Sequence, residues 1–561
     1  MILQPILDLV SICAQKGIKN VVLSPGSRCA PLTLAFARHP EIHCRTIADE
    51  RSAAFVALGM AQQLEKPVVL VCTSGSAALN YGPAVAEAYF QQIPLLVITA
   101  DRPAEWIDQW DGQTIRQLNV FGSHVKATYN FPDEFSHPDK TWHAHRISNE
   151  AINLAAAFPY GPVHINVPLR EPFYPEEGEQ FIFHDSLNPV QPLKGKMAMS
   201  PEMKQLTKTS LEGFQRVMII PGQQRPDAKL SEALNQLASN KQAVVVADVI
   251  SNMQSAETVT YHDFFLGGLP PTDSLRPDLI ISFGKSIISK SLKLFLRESK
   301  AMHWHIQPGG YFPDTYQSLG KQVHADPCLF LQFLQEHLGT SEPEFYSGWY
   351  QLEKASAMGF PKTMDEIGFG EFKALHICMK AAPSPAKLHL ANSMPVRYAN
   401  YVGVRNPAKE VICNRGTSGI DGSNSTAVGC TFTTKEPVVL VTGDMAFFYD
   451  RNAFWHNYNL PNLRIILLNN HAGGIFRMIN GPASQPELEE YFETVQQLNA
   501  SLLAEECGFE YHKVADEKAL RSVLESFFLP SVKPKLLEIT SDSKINAQIL
   551  KQVKAAASMM A

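Results

Sequence analysis

The stretch PVVLVTGDMAFFYDRNAFWHNYNLPNLRIILLNN, residues 437–470, contains two apolar runs that each end in polar residues. Both runs are short and rich in Val, Leu and Ile, which is typical of strands buried in a parallel sheet. The intervening segment, AFFYDRNAFWHNY, is long enough for a helix, so the stretch predicts a strand–helix–strand crossover unit. Asp444 and Asn470 then follow the carboxyl ends of parallel strands, where open α/β sheets bind ligands.

Strands and helices alternate along the chain, which predicts an α/β protein with three doubly wound parallel-sheet domains. We expect these domains at 1–182, 200–342 and 350–561, with a Pro- and charge-rich linker after the first. The first and third domains are expected to be alike, because EKPVVLVCTSG at Glu65 and KEPVVLVTGD at Lys435 match and each precedes a second apolar run. The alternative is that buried parallel strands resemble one another in general.

Length and composition restrict the class of protein. A chain of 561 residues is too long for a single core, and a net charge of −6 without a long basic run argues against a nucleic-acid partner. The nine cysteines include no C-x-x-C pair, so neither a zinc site nor a disulfide framework is expected. The first residues predict an amphipathic helix without the features of a signal peptide, and no apolar run is long enough for membrane insertion. We therefore expect a soluble cytoplasmic protein.

The strand ends at residues 443–444 and 469–470 predict a metal-bound diphosphate. Asp444 and Asn470 supply hard oxygen ligands, which Mg²⁺ prefers in combination with phosphate oxygens and water. Gly443 leaves the backbone open to a phosphate, and a helix starting after Asp444 would present free N–H groups to it. NNHAGGIF, residues 469–476, adds a second Gly-rich turn. For Gly443-Asp444 alone, a plain turn is the simpler alternative.

Gly-Asp at one strand end and Asn-Asn at a later one resemble the signature of thiamine diphosphate enzymes. This resemblance implies that Asp444, Asn470 and the backbone carbonyl of Ala472 hold Mg²⁺ or Mn²⁺. Met445 stands where this family usually has Gly, and His471 and Ala472 stand where Asn and Gly are usual. The full cofactor-binding set implied by the resemblance is Glu50, Ser418, Ile420, Gly443, Asp444, Met445, Ala446, Asn470, Ala472, Gly473, Gly474, Ile475 and Phe476.

The departure at Met445 fits one branch of that family, the 2-succinyl-5-enolpyruvyl-6-hydroxy-3-cyclohexene-1-carboxylate synthases. Stretches similar to this branch occur in the same order along the chain: SPGSRCAPLTLAFARHP, DERSAAFVALGMA, TADRPAEWIDQWDGQTIRQ, ANSMPVRY and NRGTSGIDGSNSTAVG. The resemblance implies a first domain that binds the pyrimidine, a central domain without cofactor and a third that binds the diphosphate. It also implies a homodimer or homotetramer with active sites between subunits.

The activity implied by this branch is decarboxylation of 2-oxoglutarate and addition of the resulting carbanion to isochorismate, with CO₂ released, in menaquinone biosynthesis. Glu50 would hydrogen-bond N1′ of the aminopyrimidine and favour the imino tautomer that deprotonates the thiazolium carbon. Ile420 would keep the cofactor bent so that these two atoms meet. The plain alternatives are a first-turn acid favoured by the helix dipole for Glu50 and a loop residue reaching the core for Ile420.

Both implied substrates carry two carboxylates, which suits Arg side chains because a guanidinium donates hydrogen bonds in a fork. A single Arg, taken alone, is more often a solvated or ion-paired surface residue, and it is the occurrence of four within the similar stretches that favours a binding role. Ser291 follows the implied Lys290 where a second basic residue is usual. The substrate-binding set implied by the resemblance is Arg28, Arg102, Gln113, Lys290, Ser393, Arg397 and Arg415.

Two alternatives remain open at this point. One is another thiamine diphosphate enzyme, either acetolactate synthase-like or a 2-oxoacid decarboxylase; the set of Arg residues argues against it. The other is a cofactor-binding protein that does not catalyse a reaction. The presence of Glu50, Asp444 and Asn470 together argues against this second alternative.

Overall fold

The computed structural model describes residues 3–267 and 272–558, which form two compact units. The first unit contains the residues up to Lys194 together with Asn414–Lys435 and Ala446–Leu463. The second contains Gly195–Cys413, Glu436–Met445 and the residues from Arg464 onward. Across the described ranges, every helix is too short or too polar to cross a membrane.

The first unit is built on a six-stranded sheet with the strand order β2-β1-β3-β4-β6-β5, in which neighbouring strands are parallel. Every residue of β3, β4 and β6 is buried; the apolar runs predict this for β3 and β4, whereas β6 also buries His164 and Asn166. The strands are β1 (Asn20–Leu23), β2 (His43–Thr46), β3 (Val68–Cys72), β4 (Leu95–Asp101), β5 (Thr128–Asn130) and β6 (Val163–Pro168). The helices among them are α1 (Gln4–Gln15), α2 (Ala30–Arg38), α3 (Glu50–Leu64), α4 (Ser76–Asn80), α5 (Gly82–Gln91) and α6 (Pro138–Ala155).

The chain between β6 and the next helix is irregular, in agreement with the predicted linker. Its Phe173 packs in the core of the first unit, and Phe181, Phe183 and Leu187 pack against the edge of that core. The linker is therefore fastened to the first unit beyond its midpoint, as the hydrogen bond of 2.8 Å from the backbone N of Val190 to Oδ1 of Asn149 also shows.

The second unit contains a five-stranded sheet with the strand order β11-β10-β9-β7-β8, again parallel throughout. The apolar run AVVVAD, residues 243–248, contributes a strand of only two residues, because Val246 forms only an isolated bridge with Val259. The strands are β7 (Val217–Pro221), β8 (Val244–Val245), β9 (Leu279–Phe283), β10 (Met302–Ile306) and β11 (Leu319–Val323). The helices are α7 (Pro201–Leu211), α8 (Ala228–Ser239), α9 (His262–Leu266), α10 (Lys290–Ser299) and α11 (Pro327–His337).

The remaining six strands form a third sheet with the order β13-β12-β14-β15-β17-β16. They are β12 (Ala386–Leu390), β13 (Lys409–Ile412), β14 (Val438–Gly443), β15 (Leu463–Asn469), β16 (Glu510–Val514) and β17 (Lys535–Thr540). The helices of this part of the chain are α12 (Pro343–Glu366), α13 (Glu371–Ala381), α14 (Met394–Val402), α15 (Ser423–Thr431), α16 (Asp444–Tyr449), α17 (Ile475–Met478), α18 (Ser501–Glu506), α19 (Glu517–Phe527) and α20 (Ser543–Ser558).

The first and third sheets have the same topology. When the strands of each sheet are numbered from its own first strand, both orders read 2-1-3-4-6-5. The predicted likeness of the first and third domains is thereby confirmed, as is the α/β class with three parallel sheets.

The crossover between β14 and β15 contains less helix than the sequence predicts. The helix α16 already begins at Asp444 and ends at Tyr449, and a 3-10 turn follows at Arg451–Phe454. The interruption lies at Asp450, which is completely buried and accepts hydrogen bonds from the backbone N and the Oγ of Ser425, both at 2.7 Å. These tertiary hydrogen bonds take the place of a continuous helix.

Helices α3 and α15 of the first unit approach each other closely through two glycines. A Cβ added to Gly59 would lie 2.1 Å from the carbonyl oxygen of Thr426, and one added to Gly429 would lie 2.1 Å from that of Val56. Both contacts are with backbone atoms, so neither helix can accept a methyl group without moving. This contact fixes α15 against the helix that begins with Glu50.

We expect Gly59→Ala to lower the Tm of the protein by several degrees. Ala is the better helix former by about 1 kcal/mol, but overpacking against a fixed backbone costs about 1–3 kcal/mol, so the steric effect should dominate. The matched control is Gly82→Ala at the start of α5, where an added Cβ meets no atom of the described residues within 4 Å. Equal Tm values for the two variants would contradict the close approach of α3 and α15.

Candidate active site

The predicted site residues fall into two groups, one in each compact unit. The first unit carries Arg28, Glu50, Arg102, Gln113, Arg415, Ser418, Ile420 and Ala446. The second unit carries Lys290, Ser393, Arg397, Gly443, Asp444, Met445, Asn470, Ala472, Gly473, Gly474, Ile475 and Phe476.

In the second unit, Asp444 and Asn470 follow the neighbouring strands β14 and β15, as predicted. Asp444 is 2% exposed, and its Oδ1 accepts a hydrogen bond from the backbone N of Met445 at 2.9 Å. The Oδ1 of Asn470 accepts one from the backbone N of Ala472, also at 2.9 Å. Burial disfavours the charged carboxylate and raises the pKa of Asp444 to about 6. A nearby cation would counteract this effect and stabilise the charged form.

Gln496, which the sequence did not indicate, fastens Asp444 to the turn after β15. Its Nε2 donates to Oδ2 of Asp444 at 2.7 Å and to Oδ1 of Asn469 at 3.3 Å. Its backbone N donates to the carbonyl of His471 at 2.9 Å. One side chain therefore holds the two strand ends together.

Glu371 is a second residue that the sequence did not indicate. Its Oε1 accepts a hydrogen bond from Nδ2 of Asn470 at 2.7 Å. Burial, and to a smaller extent the charge of Asp444, raise the pKa of Glu371 to about 8. Two buried carboxyl groups thus lie close to the predicted metal-binding amide. A divalent cation bound there would stabilise their charged forms.

The surroundings of Gly443 have room for a bound group. A Cβ added at Gly443 would meet no atom of the described residues within 4 Å, so the space beside this strand end is open. Among residues 3–267 and 272–558, no three His, Cys, Asp or Glu side chains form a metal-binding cluster. A cation at Asp444 would therefore need amide, backbone and phosphate oxygens as ligands, and the residues present fit Mg²⁺ with a diphosphate.

The predicted cofactor-binding turn Gly473–Phe476 packs against residues 492–493, which follow it in the chain. The backbone N of Gly473 donates to the carbonyl of Glu493 at 2.7 Å, and the rings of Phe476 and Phe492 pack at 5.9 Å. The carboxylate of Glu493 is buried and pairs with Arg477 in the short helix α17. This turn is thereby held at the end of β15.

Lys290 and Arg397 lie on helices that share a buried polar connection. Lys290 is the first residue of α10, which is capped by Ser289, and the Ser289 hydroxyl donates to Asp263. The other oxygen of Asp263 accepts from Nδ2 of Asn400 at 2.7 Å. Asn400 lies on α14 three residues after Arg397, so Asp263 links the start of α10 to the helix that carries Arg397.

Ser393 and Arg397 are themselves in contact. Ser393 precedes α14 with a φ of 73°, and its carbonyl accepts a hydrogen bond from Nη1 of Arg397 at 2.5 Å. Non-glycine residues in the left-handed region are uncommon and often occur at functional sites. This conformation places Ser393 at the carboxyl end of β12.

In the first unit, Glu50 is the first residue of α3. The helix is capped by Asp49, whose Oδ1 accepts from the backbone N of Ser52 at 3.0 Å. Glu50 is half-buried, and within the described ranges its carboxylate has no hydrogen bond or ion pair. A carboxylate in the first turn of a helix is favoured by the helix dipole, so this position agrees with the plain alternative for Glu50. The carboxylate is also available to a ligand.

Arg28 and Arg102 lie at the carboxyl edge of the first sheet. Arg28 is buried, donates to the carbonyl of Leu169 at 2.7 Å and lies over the ring of Phe173 at 4.7 Å. Arg102 follows β4 directly and is ion-paired with Asp111. The backbone N of Leu169 donates to the carbonyl of Asp101 at 3.1 Å, which connects the two arginines through neighbouring strand ends.

The loop that carries Gln113 is held by the buried Gln117, another residue that the sequence did not indicate. Oε1 of Gln117 accepts from the backbone N of Gly75 at 3.0 Å, and Nε2 donates to the carbonyl of Ala100 at 2.8 Å. Gln113 has a φ of 55°. A Cβ added to Gly75 would lie 3.1 Å from the carbonyl oxygen of Gln113. The loop therefore lies tightly against the ends of β3 and β4.

Glu87 on α5 holds a second loop of the first unit. Its carboxylate is 1% exposed and accepts from the backbone N of Gly416 at 2.7 Å and from the backbone N and Oγ1 of Thr417 at 2.6 and 2.7 Å. Hydrogen bonds to a buried carboxylate are strong, and losing them leaves buried N–H groups without partners. The loop carries three predicted site residues, Arg415, Ser418 and Ile420.

Three family models match the chain in order. The thiamine pyrophosphate enzyme N-terminal TPP binding domain matches residues 8–157, and the middle domain of thiamine pyrophosphate matches residues 195–390. The thiamine pyrophosphate enzyme C-terminal TPP binding domain matches residues 393–539. The protein is therefore a thiamine diphosphate-dependent enzyme.

Three relatives are named 2-succinyl-5-enolpyruvyl-6-hydroxy-3-cyclohexene-1-carboxylate synthase. The protein from Cytophaga hutchinsonii is 45% identical over 98% of both chains. Those from Christiangramia forsetii and Flavobacterium psychrophilum are 39% and 38% identical, each over 97% of both chains. The chain belongs to this synthase family.

These comparisons confirm the predicted enzyme class, the thiamine diphosphate cofactor and the branch of the family. They favour this branch over an acetolactate synthase-like enzyme, a 2-oxoacid decarboxylase and a protein without catalysis. The roles assigned to individual site residues stay predictions.

We expect Glu87→Ala to loosen the loop that carries Arg415, Ser418 and Ile420. Without the carboxylate, the amides of Gly416 and Thr417 lose their acceptor, so their hydrogen exchange should accelerate by about tenfold or more. Glu41→Ala is the control, because Glu41 is exposed and pairs with Lys19 at the surface. Wild-type exchange at both amides in the Glu87 variant would contradict this role.

Proposed function

We propose that the protein decarboxylates 2-oxoglutarate and adds the resulting carbanion to isochorismate, releasing CO₂, as a step of menaquinone biosynthesis. The observation that carries this proposal is the 45% identity, over nearly the whole chain, to a protein named as the synthase of the corresponding product. The Asp444–Asn470 arrangement at adjacent strand ends supports the cofactor part of the same proposal.

In this proposal Asp444, the side-chain oxygen of Asn470 and the carbonyl of Ala472 hold Mg²⁺ or Mn²⁺. The metal in turn anchors the diphosphate beside the open space at Gly443. When bound, thiamine diphosphate supplies a thiazolium ring that stabilises the negative charge left by decarboxylation. The other residues that would contact the cofactor are Ser418, Ile420, Met445, Ala446, Gly473, Gly474, Ile475 and Phe476.

Glu50 has the central proton-handling role. Its half-buried carboxylate at the start of α3 would hold a proton at N1′ of the aminopyrimidine ring. A carboxylate without a partner in the described ranges can accept that hydrogen bond without first breaking another. Ile420 would press on the cofactor from the loop that Glu87 holds.

The carboxylates of the two substrates would bind to the basic residues of the proposed substrate-binding set. Arg28 is already oriented by Leu169 and Phe173, so little side-chain entropy is lost when it binds a carboxylate. Arg102 pairs with Asp111, and a substrate carboxylate would share its guanidinium with that aspartate. The remaining members of the proposed set are Gln113, Lys290, Ser393, Arg397 and Arg415.

We further propose that the protein is a cytoplasmic homodimer or homotetramer with active sites between subunits. The proposed domains are residues 1–182, 200–342 and 350–561. Light scattering during size-exclusion chromatography measures the mass of the assembly directly. A monomer that is fully active at the same concentration would contradict the inter-subunit site.

The deciding experiment follows the loss of isochorismate with purified protein, thiamine diphosphate, Mg²⁺ and 2-oxoglutarate, omitting each component in turn. We expect isochorismate loss and CO₂ release to require all of them. Decarboxylation of 2-oxoglutarate or pyruvate without isochorismate loss would contradict the proposed acceptor. No reaction in folded protein would contradict the activity as a whole.

We expect Glu50→Gln to lower turnover by about 10²–10⁴-fold, the range typical of a lost acid–base group. Binding of thiamine diphosphate should change much less, because the diphosphate is anchored at Asp444. Cofactor affinity, measured by quenching of tryptophan fluorescence, separates the two effects. Unchanged turnover in a variant of wild-type Tm would rule out the proposed role of Glu50.

A further inference from the structure

We propose that Glu371 is a positioning residue that orients the amide of Asn470, so that its oxygen and not its nitrogen faces the metal. This inference rests on the metal site proposed above. Glu371 would not touch the metal, the cofactor or a substrate. It would act through the hydrogen bond of 2.7 Å between its Oε1 and Nδ2 of Asn470.

The backbone of Glu371 is rigidly placed. Glu371 is the first residue of α13, and its backbone N donates to Oδ1 of Asn546 on α20 at 3.0 Å. A Cβ added to the preceding Gly370 would lie 2.6 Å from Oδ1 of Asn546 and 2.6 Å from Cδ1 of Ile549. The start of α13 is therefore packed directly on α20.

The side chain of Glu371 is fixed as well. It is 2% exposed, so the surrounding protein encloses it, and the hydroxyl of the buried Tyr398 lies near its carboxyl group. An enclosed side chain that accepts a hydrogen bond from Asn470 has little freedom to rotate. Glu371 thus presents one oxygen to Asn470 from a fixed position.

The two ends of the Asn470 amide differ in what they can do. The nitrogen has only N–H donors, whereas the oxygen has two lone pairs and can ligate a cation. In the structure Nδ2 donates to Glu371, and Oδ1 accepts from the backbone N of Ala472, which leaves one lone pair. If the amide were turned over, its oxygen would face an oxygen of Glu371, and its N–H₂ would face the N–H of Ala472.

Glu371 and the backbone N of Ala472 therefore favour the same orientation of the amide from opposite sides. The backbone of Gly474 also lies close to this amide, since a Cβ added to Gly474 would lie 3.0 Å from Nδ2 of Asn470. An asparagine oriented in advance binds a metal more tightly, since no orientational freedom is lost on binding. This accounts for a buried acid beside a residue that the sequence predicts as a metal ligand.

The test measures Mn²⁺ binding in the presence of thiamine diphosphate, using the electron paramagnetic resonance signal of free Mn²⁺. We expect Glu371→Leu, which has no acceptor, to weaken Mn²⁺ affinity by about 10–100-fold. Glu371→Gln should weaken it by about fivefold, because glutamine can offer either an oxygen or an N–H to Asn470 and so favours one orientation of that amide less strongly. Turnover of both variants should recover substantially at saturating Mg²⁺.

Two controls make the result decisive. Asp444→Ala removes a proposed ligand, so it should abolish Mn²⁺ binding, and metal-free Tm values show whether each variant folds. If wild-type protein binds no Mn²⁺ with the cofactor, the metal site itself is wrong, and this proposal fails with it. If wild type binds, Asp444→Ala does not, and a folded Glu371→Leu binds with wild-type affinity, only the role of Glu371 is overturned. Should Glu371→Leu fail to fold, wild-type affinity in Glu371→Gln would overturn it instead.

Discussion

The structure depends on one constraint, which is that a polar side chain inside a parallel sheet buried on both faces must find its partner within the protein, as Thr99 does with His164, whereas a side chain at a strand end can meet a ligand. Every residue of β3, β4 and β6 is buried, and the apolar runs of β14 and β15 are buried likewise. Side chains that can bind a ligand therefore lie at the carboxyl edge of each sheet, where successive parallel strands all end. Arg28, Arg102, Asp444 and Asn470 are each found at such an edge.

Strand ends alone do not fix the loops that leave them, and in this protein buried hydrogen-bonding side chains do so. Glu87 holds the loop with Ser418, and Gln117 holds the loop with Gln113. Gln496 connects Asp444 to the turn after β15. Each of these side chains satisfies backbone or side-chain groups that would otherwise be buried without a partner, so the same hydrogen bonds contribute to stability and to the shape of the site.

The sequence predicted the features that are local. The apolar runs identified the strands, and Asp444 and Asn470 stand within a few residues of the strands that place them. The supporting residues could not be predicted, because Glu371 is 99 residues from Asn470, Gln496 is 52 from Asp444, and Glu87 is 330 from Thr417. The predicted helix 446–458 was too long for a related reason: Asp450 makes its hydrogen bonds with Ser425, 25 residues away, and such a contact leaves no periodic pattern.

The first and third sheets share one strand order, but the residues at their strand ends differ. In the first sheet a buried acid, Asp101, closes the fourth strand; in the third sheet the fourth strand closes with the neutral Asn469. In the third sheet a buried acid, Asp444, instead follows the third strand, whose counterpart in the first sheet is followed by the uncharged Thr73. The shared strand order therefore does not decide which strand end carries a charge; the residues after each strand do.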